Sequence, residues 1–152
     1  MSYWLLKSEP SELSISDLAG RPARTESWDG VRNYQARNIL RDGMRVSDLA
    51  FFYHSSCAEP GIVGIVQVAS AAYPDPTQFQ ADHKHYDPDS KPADPRWWLV
   101  DVQLVRKLKR TISLTELRGY PELAAMPLLR KGNRLSVMPV SAAEWDCILR
   151  LE

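Results

Sequence analysis

DLAFFYH (residues 48–54) and GIVGIVQVASA (residues 61–71), separated by the polar connector SSCAEP (residues 55–60), decide the fold. β-Branched and aromatic side chains dominate both runs, and such residues fit a pleated surface with little exposure. The spacing predicts two consecutive strands joined as a hairpin. Upstream, YWLLK (residues 3–7) is a short apolar and aromatic run bounded by Ser8, Glu9 and Pro10, a first strand running into a turn. Downstream, residues 97–108 alternate, with Trp98, Val100, Val102 and Leu104 on one face and Trp97, Leu99, Asp101 and Gln103 on the other. That pattern predicts one long strand, and Leu135 to Pro139 supplies a closing one.

Helix signals lie between and after these strands. Ser14 with Asp17, Ser113 with Glu116 and Ser141 with Glu144 each have capping-box spacing, and Val140 with Trp145 forms a hydrophobic staple around the last. Arg32 to Asp42 carries Tyr34, Ala36, Ile39 and Leu40 at helical spacing, with Asp29 as its expected cap and Gly43 as its stop. About five strands joined mostly by short turns, with flanking helices, imply an α+β domain over residues 1–152 built round a small antiparallel sheet or barrel. Between Tyr73 and Pro95 the pattern breaks into a proline- and aspartate-rich excursion with hardly an aliphatic residue. Loops of that length are usually functional or mobile, so this one is expected to border the site and to order on ligand binding.

Composition limits the function. Of 152 residues 44% are hydrophobic and 25% charged, and 19 basic residues balance 19 acidic ones. A zero formal charge excludes a polybasic nucleic-acid binder held by bulk charge, though not a local basic patch. No run approaches the roughly 18 apolar residues of a membrane span, and charges come too early for a secretory leader. With two cysteines only, Cys57 and Cys147, a reducing compartment and a cytoplasmic location are expected, with no membrane partner.

Catalytic and metal signals are weak. Cys57 stands three residues from His54, a spacing that puts them on opposite faces of an extended segment, with no third orienting group. His83 and His85 supply two ligands where zinc wants three or four, so they read as solvated loop histidines. The seven glycines form neither GxGxxG nor GxxxxGK, and no cofactor is implied. The unusual feature is aromatic: five Trp and six Tyr, several beside turns. Trp145, Trp98 and Trp4 read as core, whereas Trp28 lies between polar Ser27 and Asp29 and Trp97 follows Arg96 at the loop exit. Rigid aromatic faces near water suit base stacking, and removing Trp28 is expected to weaken ligand binding while sparing the fold. Two basic runs, Arg106 to Arg110 and Arg130 to Arg134, could hold phosphates.

YWLLKSEP, WDGVRNYQARN (residues 28–38), FFYHSSC (51–57), PGIVGI, AYPDPTQF, YDPDSKPADPRWWLVDV and GNRLSVMPV follow one another along nearly the whole chain. In that order they resemble the EVE-domain family, whose fold is PUA-like, a small pseudo-barrel with flanking helices related to YTH and ASCH domains. The resemblance implies a non-catalytic reader of a modified base, a modified cytosine in DNA ahead of RNA. Likeness to YTH domains marks Lys7 and Ser8 at the end of the first strand, Trp28 as a cage wall, and Asn133 and Arg134 in a late segment beside the pocket. Trp97, favoured by the family pattern, competes with Trp98 and Tyr53 for the second wall.

These readings combine into one expectation. Trp28 and Trp97 sandwich a flipped base, Ser8, Asn33, His54 and Ser55 read its edge, and Lys7 and Arg134 hold flanking phosphates. The rival is a small enzyme acting on a base or amide through Cys57, His54 or Glu9.

Overall fold

The computed structural model describes residues 1–152. Leu5 and Leu6 are both fully buried, as are Phe51 and Phe52, and the members of each pair join different clusters. Successive strand residues point to opposite faces, so adjacent buried residues mean a sheet covered on both sides. That is why these strands read as continuous apolar runs. One cluster packs Leu6, Trp28, Leu40, Phe52, Val66 and Val102; the other packs Leu5, Phe51, Ile62, Ile112, Trp145 and Ile148.

In chain order the elements are β1 (Tyr3–Ser8), α1 (Ile15–Ala19), β2 (Thr25–Ser27), α2 (Tyr34–Asn38), β3 (Leu49–His54), β4 (Gly61–Val68), β5 (Tyr73–Pro74), β6 (Trp98–Leu99), β7 (Asp101–Ser113), α3 (Leu114–Leu117), β8 (Val137–Val140) and α4 (Ala142–Leu149). Six strands curl into a half-barrel in the order β2-β7-β4-β3-β1-β8, and β5 with β6 forms a separate pair. This is the expected α+β, PUA-like arrangement, with the β3–β4 hairpin at its centre. One pairing departs from the antiparallel expectation: β1 runs parallel to β3, from Tyr3 beside Leu49 to Ser8 beside His54. A parallel pair needs a long crossover, and the stretch carrying α1, β2 and α2 supplies it. No helix is long and apolar enough to cross a membrane.

Local chemistry accounts for the ends of the elements. Ser14 and Ser141 form complete capping boxes with Asp17 and Glu144. At α3 only half the box forms, because the Glu116 carboxylate accepts two hydrogen bonds from Arg110 at 2.7 and 2.8 Å. The cap of α2 is Asn33, whose Oδ1 accepts from Ala36 N at 3.0 Å, and not Asp29. α2 then continues as a π-helical turn, Ile39–Gly43.

The long strand expected from Trp97 breaks at Val100. Trp98 and Leu99 leave the β7 pleat to pair with Tyr73 and Pro74, and the two tryptophans exchange roles: Trp97 is 6% exposed and Trp98 only half-buried. The excursion that precedes them is held by its own side chains. Buried Gln78 donates to the carbonyls of Asp75 and Trp97 (2.7 and 2.8 Å) and accepts from Ser90 Oγ and Trp97 N (2.6 and 3.1 Å). A polar, proline-rich sequence is therefore fixed through satisfied buried hydrogen bonds.

Candidate functional site

A cleft of about 630 Å³ opens where the end of β1, the approach to α1, the β2–α2 segment and the excursion meet. Lys7, Ser8 and Glu9 reach it from the end of β1, Trp28 to Arg32 from the second segment, and His83 to His85 from the third. Trp28 is its aromatic surface. The Trp28 backbone N–H donates to Val100 O at 2.9 Å, and its ring meets Phe52 edge-on at 5.6 Å. No fully buried side-chain nitrogen or oxygen lacks a partner, and the Trp28 indole N–H has none within the chain, so that N–H is not fully buried.

Two walls are tied together behind it. Arg32 donates twice to His85 O (3.1 and 2.7 Å), to Asp75 Oδ2 (3.0 Å) and to Thr77 Oγ1 (3.1 Å). Asp75, fully buried, also accepts from Gly30 N (2.9 Å) and from Thr77 N and Oγ1 (2.8 and 2.6 Å). Burial alone would raise the Asp75 pKa, but the bonds from Thr77, Gly30 and Arg32 outweigh it and hold the carboxyl below its ordinary range. Gly30 is in the left-handed region at φ +80°, and a Cβ there would stand 2.5 Å from His85 Nε2. Gly30→Ala is therefore expected to cost about 1 to 3 kcal/mol in thermal or urea unfolding, from backbone strain together with displacement of His85. A loss within 0.5 kcal/mol, of the size usual for surface changes, would show that this wall yields freely.

The charges in the cleft are unevenly spent. Arg21 pairs with Glu26 at 2.6 Å, Lys84 pairs with Glu12, and Arg32 is committed to Asp75. Lys7 has no carboxylate partner; its ammonium lies 5.8 Å from the Tyr53 ring centroid, and burial lowers its pKa. Asp29 has no hydrogen-bond partner either. Partial desolvation, with the Asp75 carboxylate nearby, pushes its carboxyl up. Burial, then the Arg32 charge, lowers His85.

Of the binding residues expected from the sequence, Lys7, Ser8 and Trp28 line the cleft, and Trp97, Asn33, Tyr53, His54, Ser55, Asn133 and Arg134 do not. Trp97 sits behind it, stacked on Tyr34 at 4.9 Å with its indole N–H donated to Asp87 at 2.7 Å. Asn33 is spent on its cap. His54 Nε2 accepts from Ile15 N at 3.1 Å, and the backbone N–H of Ser55 donates to Ser8 O at 3.0 Å. Tyr53 belongs to the cluster on the other face of the sheet, and Trp98 donates to Pro95 O at 3.3 Å. Asn133 donates to Pro127 O and accepts from Leu135 N; Arg134 is exposed, two residues before Ser136 of the cleft rim. Cys57 and His54 do not face the cleft, although Glu9 does. His83 and His85, expected as solvated loop residues, form part of its wall. Arg106 and Arg110 are paired with Glu152 and Glu116.

Sequence reasoning missed Arg32, Asp29, Asp75 and the two histidines. The signals available were the Trp28-Asp29-Gly30 tripeptide and a long excursion that must return beside it.

The sequence profile of the EVE domain matches residues 2–151. The chain belongs to the EVE domain family. Thymocyte nuclear protein 1 of Mus musculus is 49% identical over 99% of this EVE domain chain and 74% of its own length, and the Homo sapiens protein is 47% identical over the same shares. Human THYN1 protein in complex with 5-methylcytosine-containing DNA superimposes with a TM-score of 0.94 at 46% identity, covering 99% of this chain and 97% of that one. A Pseudomonas syringae protein gives 0.92 at 48% identity, covering 99% of both chains. A Zymomonas mobilis ASCH protein, 9% identical with a TM-score of 0.57, shares the fold alone. The cytoplasmic location expected from composition is overturned by the names of the vertebrate relatives, which are nuclear proteins. Few cysteines and the lack of a helix long and apolar enough to cross a membrane are features that nuclear and cytoplasmic proteins share, so they never separated the two.

Proposed function

We propose that this EVE domain binds DNA carrying a modified cytosine, taking the flipped base into the cleft against Trp28, and that it performs no chemistry on it. One observation carries the reading: a relative 46% identical, with the same fold over 97% of its chain, is found in complex with 5-methylcytosine-containing DNA. The cleft supports it with one indole in a lining of mostly polar side chains. Extruding a base costs a few kcal/mol, and stacking returns roughly 1 to 3 kcal/mol, so edge contacts must supply the remainder. Absence of catalysis is supported by Cys57 and His54, neither of which faces the cleft, and by His54 Nε2 being occupied by Ile15 N–H.

Of the Lys and Arg residues lining the cleft, Arg21, Arg32 and Lys84 are paired with carboxylates and Lys7 is not, and exposed Arg134 lies near the rim. Each neutralised phosphate contributes about −0.7 to −0.9 to the slope of log affinity against log salt, so about three contacts give a slope near −2 to −3. Fluorescence anisotropy with matched duplexes containing cytosine or 5-methylcytosine, titrated over a range of salt, tests both parts. The expected result is tighter binding of the methylated duplex, that shallow slope, and a further decrease of about one unit in Arg134→Ala, with the oligonucleotide mass unchanged after incubation. Equal affinity for the two duplexes would sink the reading. A slope of about −6 or steeper would move the phosphate path to the Arg106 to Arg110 face.

A further inference from the structure

A methyl group at C5 sets a discrimination problem, because thymine carries the same methyl as 5-methylcytosine. The bases differ at the neighbouring position, where cytosine presents the N4 amine, a donor, and thymine presents O4, an acceptor. A cleft that felt only a ring and a methyl would bind both. Discrimination needs an acceptor aimed at the amine, and a carboxylate is the side chain suited to receive from cytosine N4.

The carboxylates of the cleft are not equivalent. Glu12 is taken by Lys84 and Glu26 by Arg21, and buried Asp75 is saturated by Gly30, Arg32 and Thr77. Asp29 receives no hydrogen bond, and the groups nearest it electrostatically are Asp75, His85, His83 and Glu26. Its chain position is fixed on both sides: Trp28 N is bonded to Val100 O and Gly30 N to Asp75 Oδ2. Asp29 is therefore an unspent acceptor on an immobilised backbone, one residue from the stacking ring. Desolvation and then the Asp75 charge raise its pKa, with His85 and His83 acting against them.

We propose that Asp29 determines specificity, its carboxylate accepting a hydrogen bond from the N4 amine of the base stacked on Trp28 and turning thymine away by facing O4. This rests on the reader function proposed above. Cytosine also presents N3 and O2 as acceptors, and the Trp28 indole N–H, without a partner in the chain, is a donor on the stacking residue itself, whereas Lys7 lines the cleft with its ammonium over the Tyr53 ring. The set of unspent groups thus matches a cytosine edge better than a thymine edge. Glu9 is the competing acceptor, exposed on the same cleft as Asp29 is, but carried on the end of β1 and not on the residue next to Trp28.

The test uses the full chain and oligonucleotides carrying 5-methylcytosine or thymine opposite an abasic site, so that unpairing costs the two bases equally little. Wild type is expected to prefer 5-methylcytosine by about tenfold or more, equivalent to about 1.4 kcal/mol. Asp29→Asn, whose amide can donate to O4, should bring the two affinities within about twofold, and Glu9→Gln should keep the wild-type ratio. Because the Asp29 side chain bonds nothing in the protein, the variant should unfold at the wild-type temperature. An Asp29→Asn protein that keeps the preference, a Glu9→Gln protein that loses it, or wild type that binds thymine equally well would each overturn the assignment. These results are separate from failure of the reader function itself, which would show as equal binding of methylated and unmodified cytosine duplexes by wild type.

Discussion

Asp75→Ala is expected to lower the stability of this EVE domain by about 3 to 5 kcal/mol at neutral pH, the range for deleting one member of a buried ion pair. The carboxylate is fully buried, and its loss leaves Gly30 N–H and the Thr77 N–H and hydroxyl without their acceptor and Arg32 without its counter-charge at once. Each abandoned donor bears a desolvation cost that a solvent-exposed pair would not. Arg32 is itself only about one-fifth exposed, so its guanidinium cannot simply turn into water. Urea unfolding reads the effect directly. A loss below about 1 kcal/mol would mean that the two cleft walls are held by something other than this carboxylate.

Acid should act through the same group. The folded-state pKa of Asp75 is depressed, so its contribution is complete above the unfolded value of about 3.9 and disappears as pH falls through the folded one. His54 and His85 are also lowered, both through burial, so the unfolded chain binds their protons first, and stability begins to decline on acidification below about 6.5. Wild type should therefore lose stability in two stages, and Asp75→Ala should show a smaller lower one, the remainder coming from carboxyls such as Asp48, Asp87 and Glu152 that are also held down.

What the sequence disclosed about the fold depended on how local the determining physics is. FFYH could be placed as a strand because its composition is decisive within a few residues, and Ser14 and Ser141 announced their helices because a cap and its partner are three residues apart. The parallel register of β1 on β3 left no such mark, since it is set by how a long connection folds over the sheet. Trp97 and Trp98 were exchanged because alternation assumes an unbroken pleat, and the break at Val100 arises from pairing with Tyr73 and Pro74, far upstream.

The same distinction governs the site. Lys7, Ser8 and Trp28 could be found because a strand end and a turn tripeptide are local features, and the family resemblance pointed to the same residues. His54 looked like an edge-reading group because its partner, Ile15 N–H, lies 39 residues away, and Arg32 passed unnoticed because Asp75 is 43 residues away. Residues joined across such distances carry no pattern that periodicity can detect.

Trp28 is where the two kinds of information conflict, and its replacement is the most discriminating experiment on the cleft. Polar neighbours suggested a ring that could be removed without harm, yet Trp28 is only 7% exposed and packs with Phe52 in the core. Trp28→Ala is therefore expected to cost about 3 to 5 kcal/mol of stability, as much as Trp145→Ala, whose ring stacks on Phe51 at 3.9 Å and Tyr3 at 4.5 Å. Stability alone thus fails to separate site from core, and affinity must be measured on protein shown to be folded. Trp28→Phe and Trp145→Phe retain most of each volume; of the two, only Trp28→Phe alters a residue that lines the cleft and shrinks the stacking surface offered to a base. Binding of a 5-methylcytosine duplex should weaken by about tenfold in Trp28→Ala, as the loss of one base–aromatic stack requires. Trp28→Phe should fall between that variant and wild type, and Trp145→Phe should bind as wild type does. If both phenylalanine variants bound equally well, the Trp28 ring would be a wall of the core that happens to border a cleft, and the base would have to stack elsewhere.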